Sequence, residues 1–321
     1  MPARPVLVTG AAGFIGSHLC EELLALGRVV RGLDSLTGHY DRALKELNLA
    51  GPAADPKFAF YERDLLDPGL EELVADVEWV FHLAARPGVR DSWQEFDEYV
   101  YSNIQGTKAV LDACIGRDVK LVYASSSSVY GDASHLPVSE DQRTAPISPY
   151  GATKVMAELM ASAYHHAYGL PAVGLRYFTV YGPRQRPDMG LARFIEAAVA
   201  GRRLSIYGDG RQLRDFTYVR DIAHATVAAA QCGRDGAIYN VASSNPRPLL
   251  DVLDVLGQAL GRELPLNFEP AKLGDVRDTW GATELAQTEL GFAPSVALRD
   301  GLQAQVAAAQ QRREALAATS G

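Results

Sequence analysis

The 321-residue chain is 47% hydrophobic and 22% charged, ordinary values for a soluble globular protein that buries a substantial core in one large domain or two small ones. Its net charge of −8, without any basic run, argues against a nucleic-acid surface, and its apolar stretches are strand-length, too short for a membrane span. Three cysteines, Cys20, Cys114 and Cys232, have no paired spacing, which implies neither a disulfide framework nor a metal site and makes a reducing cytoplasm the expected compartment.

The opening "MPARPVLVTG" enters a strand almost at once, so no signal peptide is expected. In chain order, strands are expected at 5–10, 28–34, 58–64, 77–84, 119–126 and 171–178, most of them continuously apolar, as in a sheet covered on both faces. Helical patterns near 14–26, 68–75, 96–115 and 150–168 fall between them. This alternation predicts an α/β fold, a doubly wound parallel sheet of Rossmann type with right-handed crossovers, over residues 1–178. After about 180 the rhythm changes. Helical "LARFIEAAVAG" (191–201), the turn "YGDGRQ" (207–212) and short elements up to 295 predict a smaller C-terminal α/β substrate domain over 179–310. The two are expected to interleave, with segments near 215–245 returning to the first. The tail reads as an amphipathic helix that frays, and no internal repeat is visible.

The first strand-to-helix turn carries "TGAAGFIGSH" (9–18). Gly10, Gly13 and Gly16 free the backbone to turn tightly, approach a pyrophosphate and pack helix against strand. With Phe14 and Ile15 they open a helix whose N–H groups and dipole favour an anion. The spacing is G-x-x-G-x-x-G rather than G-x-G-x-x-G, and glycine clusters also make ordinary turns; the position directly after a strand is what points to a dinucleotide. Asp34 ends the second strand. A carboxylate there accepts from both ribose hydroxyls and repels a 2′-phosphate, so NAD is expected rather than NADP.

"PYGATK" (149–154) sets Tyr150 and Lys154 four apart at the start of a helix, on one face. A phenol titrates near 10, and lowering it to about 7 takes roughly 4 kcal/mol, which two close cations in a desolvated cleft could supply. A Y-x-x-x-K pair alone is common. This one gains weight from "SSSSVYG" (125–131), a run of hydroxyls at the carboxyl end of the preceding strand, where open α/β sheets bind ligands.

"GAAGFIGSH", "HLAA", "NIQGT", "SSSSVYG", "SPYGATK", "RYFTVYGPR", "GDGRQLRDFTYVRDIA" and "YNVAS" occur in that order along the chain. Together they resemble the extended short-chain dehydrogenases/reductases of the NAD-dependent nucleotide-sugar epimerase/dehydratase family over essentially the whole length. The resemblance implies Ser126 as the catalytic hydroxyl, Tyr150 as the base and Lys154 as the residue that tunes it. It assigns Asp64 and Leu65 to the adenine, and Leu83, Ala84 and Ala85 to the phosphate side. Lys154 and Tyr177–Phe178 fall by the nicotinamide ribose, with Asn103 as a supporting hydrogen-bond partner. It also implies a homodimer through the helices near 96–115 and 150–168.

For the substrate, the resemblance puts Arg214, Asp275 and Arg277 by a diphosphate and ribose, and Tyr207 against a uracil; guanidinium forks suit phosphate. Dehydratases of this family carry an acidic pair in the two positions before "VYG", and decarboxylating relatives usually keep the glutamate. Here those positions are Ser127 and Ser128, neither of which exchanges a proton near neutral pH. Hydride chemistry alone is left: oxidation at C4, rotation of the 4-keto sugar and re-reduction, which is 4-epimerisation of a UDP-sugar. Thr179 stands where neutral-hexose epimerases typically have asparagine, and "VYGPRQRPDM" is similar to the UDP-glucuronate 4-epimerase branch. That similarity sets Arg186 to meet the C5 carboxylate, with Thr179, Ser127 and Ser128 donating hydroxyl bonds. UDP-glucuronate to UDP-galacturonate is thus the expected reaction. A neutral UDP-hexose epimerase is the next reading, and a dehydratase, a decarboxylase or a non-catalytic NAD-binding protein follow. The intact Ser126, Tyr150 and Lys154 set argues against the last.

Overall fold

In the first half, strands and helices alternate as the apolar runs dictate: β1 (Val6–Thr9), α1 (Phe14–Ala25), β2 (Val30–Asp34), α2 (Arg42–Ala53), β3 (Phe58–Glu62), α3 (Leu70–Val74), β4 (Trp79–His82), α4 (Phe96–Tyr99), α5 (Gly106–Cys114), β5 (Lys120–Ser126), α6 (Pro149–Tyr168) and β6 (Ala172–Tyr177). A π-helical stretch, Val100–Gln105, joins α4 to α5, so the helix expected over 96–115 is one run with a widened turn. Shorter elements follow: β7 (Thr179–Tyr181), α7 (Gly190–Val199), β8 (Leu204–Tyr207), β9 (Leu213–Arg214), β10 (Phe216–Tyr218), α8 (Val219–Cys232), β11 (Ile238–Val241), β12 (Arg247–Pro248), α9 (Leu249–Leu260), β13 (Leu266–Glu269), α10 (Glu284–Leu290) and α11 (Leu298–Thr319). This computed structural model describes residues 4–270 and 276–319.

Seven strands pair in parallel in the order β11-β6-β5-β4-β1-β2-β3, the doubly wound sheet that the alternation predicts. Side-chain alternation feeds two cores. Val6 and Val8 of β1 pack with Leu19 and Leu23 of α1 and with Ile222 of α8. Leu7 faces the other way, onto Leu70 of α3, Leu111 of α5 and Ala161 of α6. Full burial of such a side chain stabilises by about 1.5–3 kcal/mol. A third core joins Ile195 of α7, Leu253 of α9 and Leu302 of α11 over Leu204 and Ile206 of β8. After α8 the chain returns to the large sheet and adds β11 beside β6.

Helix α2 is not among the expected elements. Asp41 caps it, accepting from the Ala43 N–H at 2.9 Å, but its buried residues include Lys45 and Asn48. A half-polar buried face does not announce a helix by apolar periodicity.

The strand order turns back between β1 and β4, and the crevice beyond their carboxyl ends is where such sheets bind ligands. Gly10 shapes it: its φ of +73° suits glycine, and a Cβ there would come to 2.7 Å from the Ala84 nitrogen. A Cβ at Gly16 would overlap the Gly10 carbonyl oxygen, so α1 leaves β1 at backbone contact. Gly16→Ala is expected to cost about 1–3 kcal/mol by overpacking, lowering the Tm by roughly 2–10 °C. A thermal melt with the wild-type midpoint would show that the helix is not held at that distance.

Candidate active site

The turn after β1 makes an anion cradle. Gly10 N–H donates to the Leu33 carbonyl at 2.8 Å, which ties the turn to β2. No side chain caps α1 at Gly13, so the first-turn N–H groups face an incoming anion at the positive end of the helix dipole. Asp34, buried at the end of β2, accepts from the Ala12 N–H at 3.2 Å and the Leu36 N–H at 2.8 Å. Lys45 of α2 stands 3.4 Å from the same carboxylate, and Asn48 donates to the Ala12 carbonyl. The helix that sequence reading missed therefore braces the cradle.

One cavity of about 390 Å³ runs along this edge. Its lining includes Gly10, Gly13, Phe14, Ile15, Gly16, Asp34, Asp64, Leu65, Leu83, Ala84, Ala85, Ser126, Tyr150, Lys154, Tyr177 and Arg186. All the cofactor candidates thus meet in one place. The glycine turn, the uncapped helix and the carboxylate at the strand end fit a dinucleotide.

Helix α6 delivers Tyr150 and Lys154. Ser148 caps it, accepting from the Gly151 N–H at 3.1 Å, with Pro149 in the first turn, so the reactive pair starts at a defined point. Lys154 Nζ donates to the Ala124 carbonyl of β5 at 2.9 Å and lies 5.9 Å from the Tyr150 ring centroid. Burial pushes Lys154 down to about 8, with Glu158 opposing. Burial also raises the Tyr150 phenol above its ordinary value, while a hydrogen bond from Ser126 and the charge of Arg186 oppose the rise. The protein's own groups do not produce the lowered phenol that the Tyr–Lys spacing suggests. Lys154 gives up its proton at a lower pH than the phenol, so its charge is gone where Tyr150 titrates.

Asn103 lies in the π-helical stretch, where its side chain accepts from the Arg86 N–H at 2.6 Å and donates to Thr153 Oγ1 of α6 at 3.0 Å. His82 is a hydrogen-bonded core residue. It bridges Thr9 and Thr107 at 2.9 and 3.0 Å, and burial holds it near 3, hence neutral.

The serine run divides. Ser125 is buried and donates to Glu158 at 2.5 Å, and it lines the cavity together with Ser126. Ser127 and Ser128 form the 3-10 turn that follows and are not among the residues lining the cavity. Ser126 Oγ accepts from the Ser128 N–H at 3.2 Å.

A second, adjoining cavity of about 1050 Å³ is lined by Thr179, Gln185, Tyr207, Arg214 and Arg90, among others. Arg90 lies 4.8 Å over the Tyr207 ring. Arg214 also donates to the carbonyls of Val276 and Arg277, at 2.7 and 2.6 Å. Arg277 is itself 86% exposed and outside the cavity lining. Asp275 lies outside the described residues.

Arg186 reaches the first cavity but is already forked onto Asp188, at 3.0 and 2.9 Å. Its loop is fastened on two sides. Arg184, with a left-handed φ of +64°, pairs with Glu21 of α1, and His18 of α1 bonds the Pro183 carbonyl at 3.0 Å. Gln305 of α11 donates to Gln185 at 2.7 Å. Asp188 stood in view in the sequence, two residues from Arg186. Arg90, Lys45 and Gln305 carried no sequence signal, because distant segments bring them here.

No helix among the described residues is long and apolar enough to cross a membrane. The model of the family described as the NAD dependent epimerase/dehydratase family matches residues 6–242. The chain is 40% identical over 308 residues to a protein of Thermodesulfobacterium geofontis named UDP-glucuronate 4-epimerase, covering 94% of each. It is also 40% identical over 306 residues to a Bacillus subtilis protein described as an uncharacterized UDP-glucose epimerase, YtcB, covering 94% of this chain and 96% of that one. The crystal structure of UDP-glucuronic acid 4-epimerase from Bacillus cereus, in complex with UDP-glucuronic acid and NAD, is similar with a TM-score of 0.93 at 41% identity, covering 96% of this chain and 99% of that one. From the glycine turn of β1 to the end of β11, this chain belongs to the NAD-dependent epimerase/dehydratase family.

Proposed function

We propose that this protein is an NAD-dependent 4-epimerase of UDP-sugars and that its substrate is UDP-glucuronate. The observation that carries the reading is one cavity that joins the dinucleotide cradle, the Ser126 and Tyr150 hydroxyls and the Arg186 guanidinium, on a strand end without carboxylates. The bound cofactor supplies a hydride acceptor that becomes the donor on return, together with a positive charge while oxidised. Tyr150 takes the C4 hydroxyl proton and later gives it back, and Ser126 holds the C4 oxygen by hydrogen bonding. Arg186 engages the sugar carboxylate, with Thr179 approaching from the adjoining cavity, and Ser127 and Ser128 lie behind Ser126 rather than in the cavity wall. Arg214 and Tyr207 hold the uridine diphosphate, with Arg90 stacked on Tyr207 as a further contact. Relatives named for UDP-glucuronate support the substrate.

The fork between Arg186 and Asp188 favours a second reading. A guanidinium neutralised by its own carboxylate suits a neutral sugar, so a UDP-hexose is the alternative substrate. The chain's buried and free Cys20 and Cys114 suit a reducing compartment, the cytoplasm. A homodimer through the outer faces of α4, α5 and α6 is supported by exposed Phe96, Tyr101, Met156 and Leu159, the last 61% exposed.

Three outcomes are expected. Tyr150→Phe abolishes epimerisation while the variant still purifies with NAD; a turning-over variant would remove the mechanism. Arg186→Ala loses roughly 10- to 100-fold in kcat/KM on UDP-glucuronate, the worth of one charge-assisted pair, and much less on UDP-glucose. The loss appears in kcat as well as KM if Arg186 positions the reacting ring. Equal loss on both sugars makes Arg186 structural, and wild-type preference for UDP-glucose selects the second reading. Light scattering should give twice the 34.6 kDa chain mass, falling to the monomer in Leu159→Glu; a wild-type monomer would overturn the dimer.

A further inference from the structure

Behind the Ser126, Tyr150 and Lys154 set lies a buried ion pair that the reaction as described does not use. Tyr150, Lys154 and Glu158 follow at four-residue spacing on α6 and so share a face. Glu158 is gripped by Arg176 of β6, Nε to Oε1 at 2.9 Å and Nη2 to Oε2 at 2.7 Å. The two side chains are only 6% and 5% exposed. Glu158 also accepts from Ser125 Oγ at 2.5 Å. Ser125 pairs with Arg176 in the β5–β6 register and directly precedes Ser126. The remaining Arg176 nitrogen donates to the Tyr130 phenol at 2.7 Å, which donates to Asn240 of β11 at the same distance. A buried ion pair is weak evidence for stability, since well-packed apolar residues of similar volume often do as well. Its place between the catalytic helix and the catalytic strand points to another role.

We propose that Glu158 is a positioning residue: anchored by Arg176, it fixes the strand end that carries Ser126 and sets a negative charge one helical turn beyond Lys154. Lys154 needs that charge. Burial draws it down to about 8, and Glu158 is the group that opposes the shift. The other groups facing this spot do not replace it. His82 of β4 is neutral, held near 3, and the buried Tyr123 of β5 is raised well beyond any working pH. Arg176 of β6 is a cation, Tyr150 lies on the far side of Lys154, and the Arg186 charge acts on Tyr150. Removing the Glu158 charge removes the group that opposes the effect of burial on Lys154, so the ammonium is lost at a lower pH.

The test rests on the proposed epimerase reading only in its second readout. In the full-length protein labelled with 13Cε-lysine, the Lys154 signal, assigned by its loss in Lys154→Arg, should titrate near 8. In Glu158→Gln it should titrate about half a unit to one unit lower. Glu158→Asp, which keeps the charge but shortens the reach to Ser125, should leave it within about 0.2 unit while still losing rate. Epimerisation of UDP-glucuronate should show the alkaline limb of its pH–rate profile moving down in the Gln variant alone. Should Glu158→Gln fail to fold, Glu158→Gln/Arg176→Gln strips both buried charges together, and its Lys154 signal should titrate measurably below that of wild type, by less than about one unit. An unmoved Lys154 titration in Glu158→Gln, or in the double variant where the single one does not fold, overturns the proposal. Wild-type protein without epimerase activity would instead remove the functional reading and leave the titration to decide this one.

Discussion

Parallel pairing is the constraint on which the site depends. In a parallel sheet every strand ends on the same edge, so β1, β2, β4, β5 and β6 all deliver their last residues to one side. Asp34, Ala84, Ser126 and Tyr177 are far apart in the chain, yet each is the last residue of its strand or within a few residues of it. The strand order turns back between β1 and β4, which leaves a crevice that no crossover helix fills. Gly10 and Gly16 then decide how closely α1 meets that crevice, because a side chain at either position would push helix and strand apart.

Burial sets the chemistry within that crevice. Lys154, His82 and the Glu158–Arg176 pair are buried, Tyr150 lines the cavity, and for Tyr150, Lys154 and His82 desolvation is the largest influence on the proton. Desolvation holds the Tyr150 phenol above its ordinary value and draws Lys154 down to about 8. A cation placed beside the phenol would favour its ionised form.

The loop from Gly182 to Met189 links the two cavities. Arg184 fastens it to α1, the same helix whose first turn closes the dinucleotide cradle, and Gln185 fastens it to α11. Arg186 is thus aimed from a fixed base rather than from a free loop. Its fork onto Asp188 neutralises the guanidinium within the loop itself.

The sequence by itself determined the fold and most of the cofactor edge. Continuously apolar strands, helices at 3.6-residue spacing and glycines after the first strand are local patterns, and Asp34, Tyr150 and Lys154 stand at fixed offsets from them. Its reach ended where partners come from distant segments. Helix α2 was illegible because its buried face holds Lys45 and Asn48, polar residues buried only because Asp34 and the Ala12 carbonyl meet them there. The Glu158–Arg176 pair spans α6 and β6, and Arg90 covers Tyr207 across more than a hundred residues of chain. The order of titration between Tyr150 and Lys154 was decided only by tertiary structure, since desolvation depends on everything packed around a group and not on its neighbours in sequence.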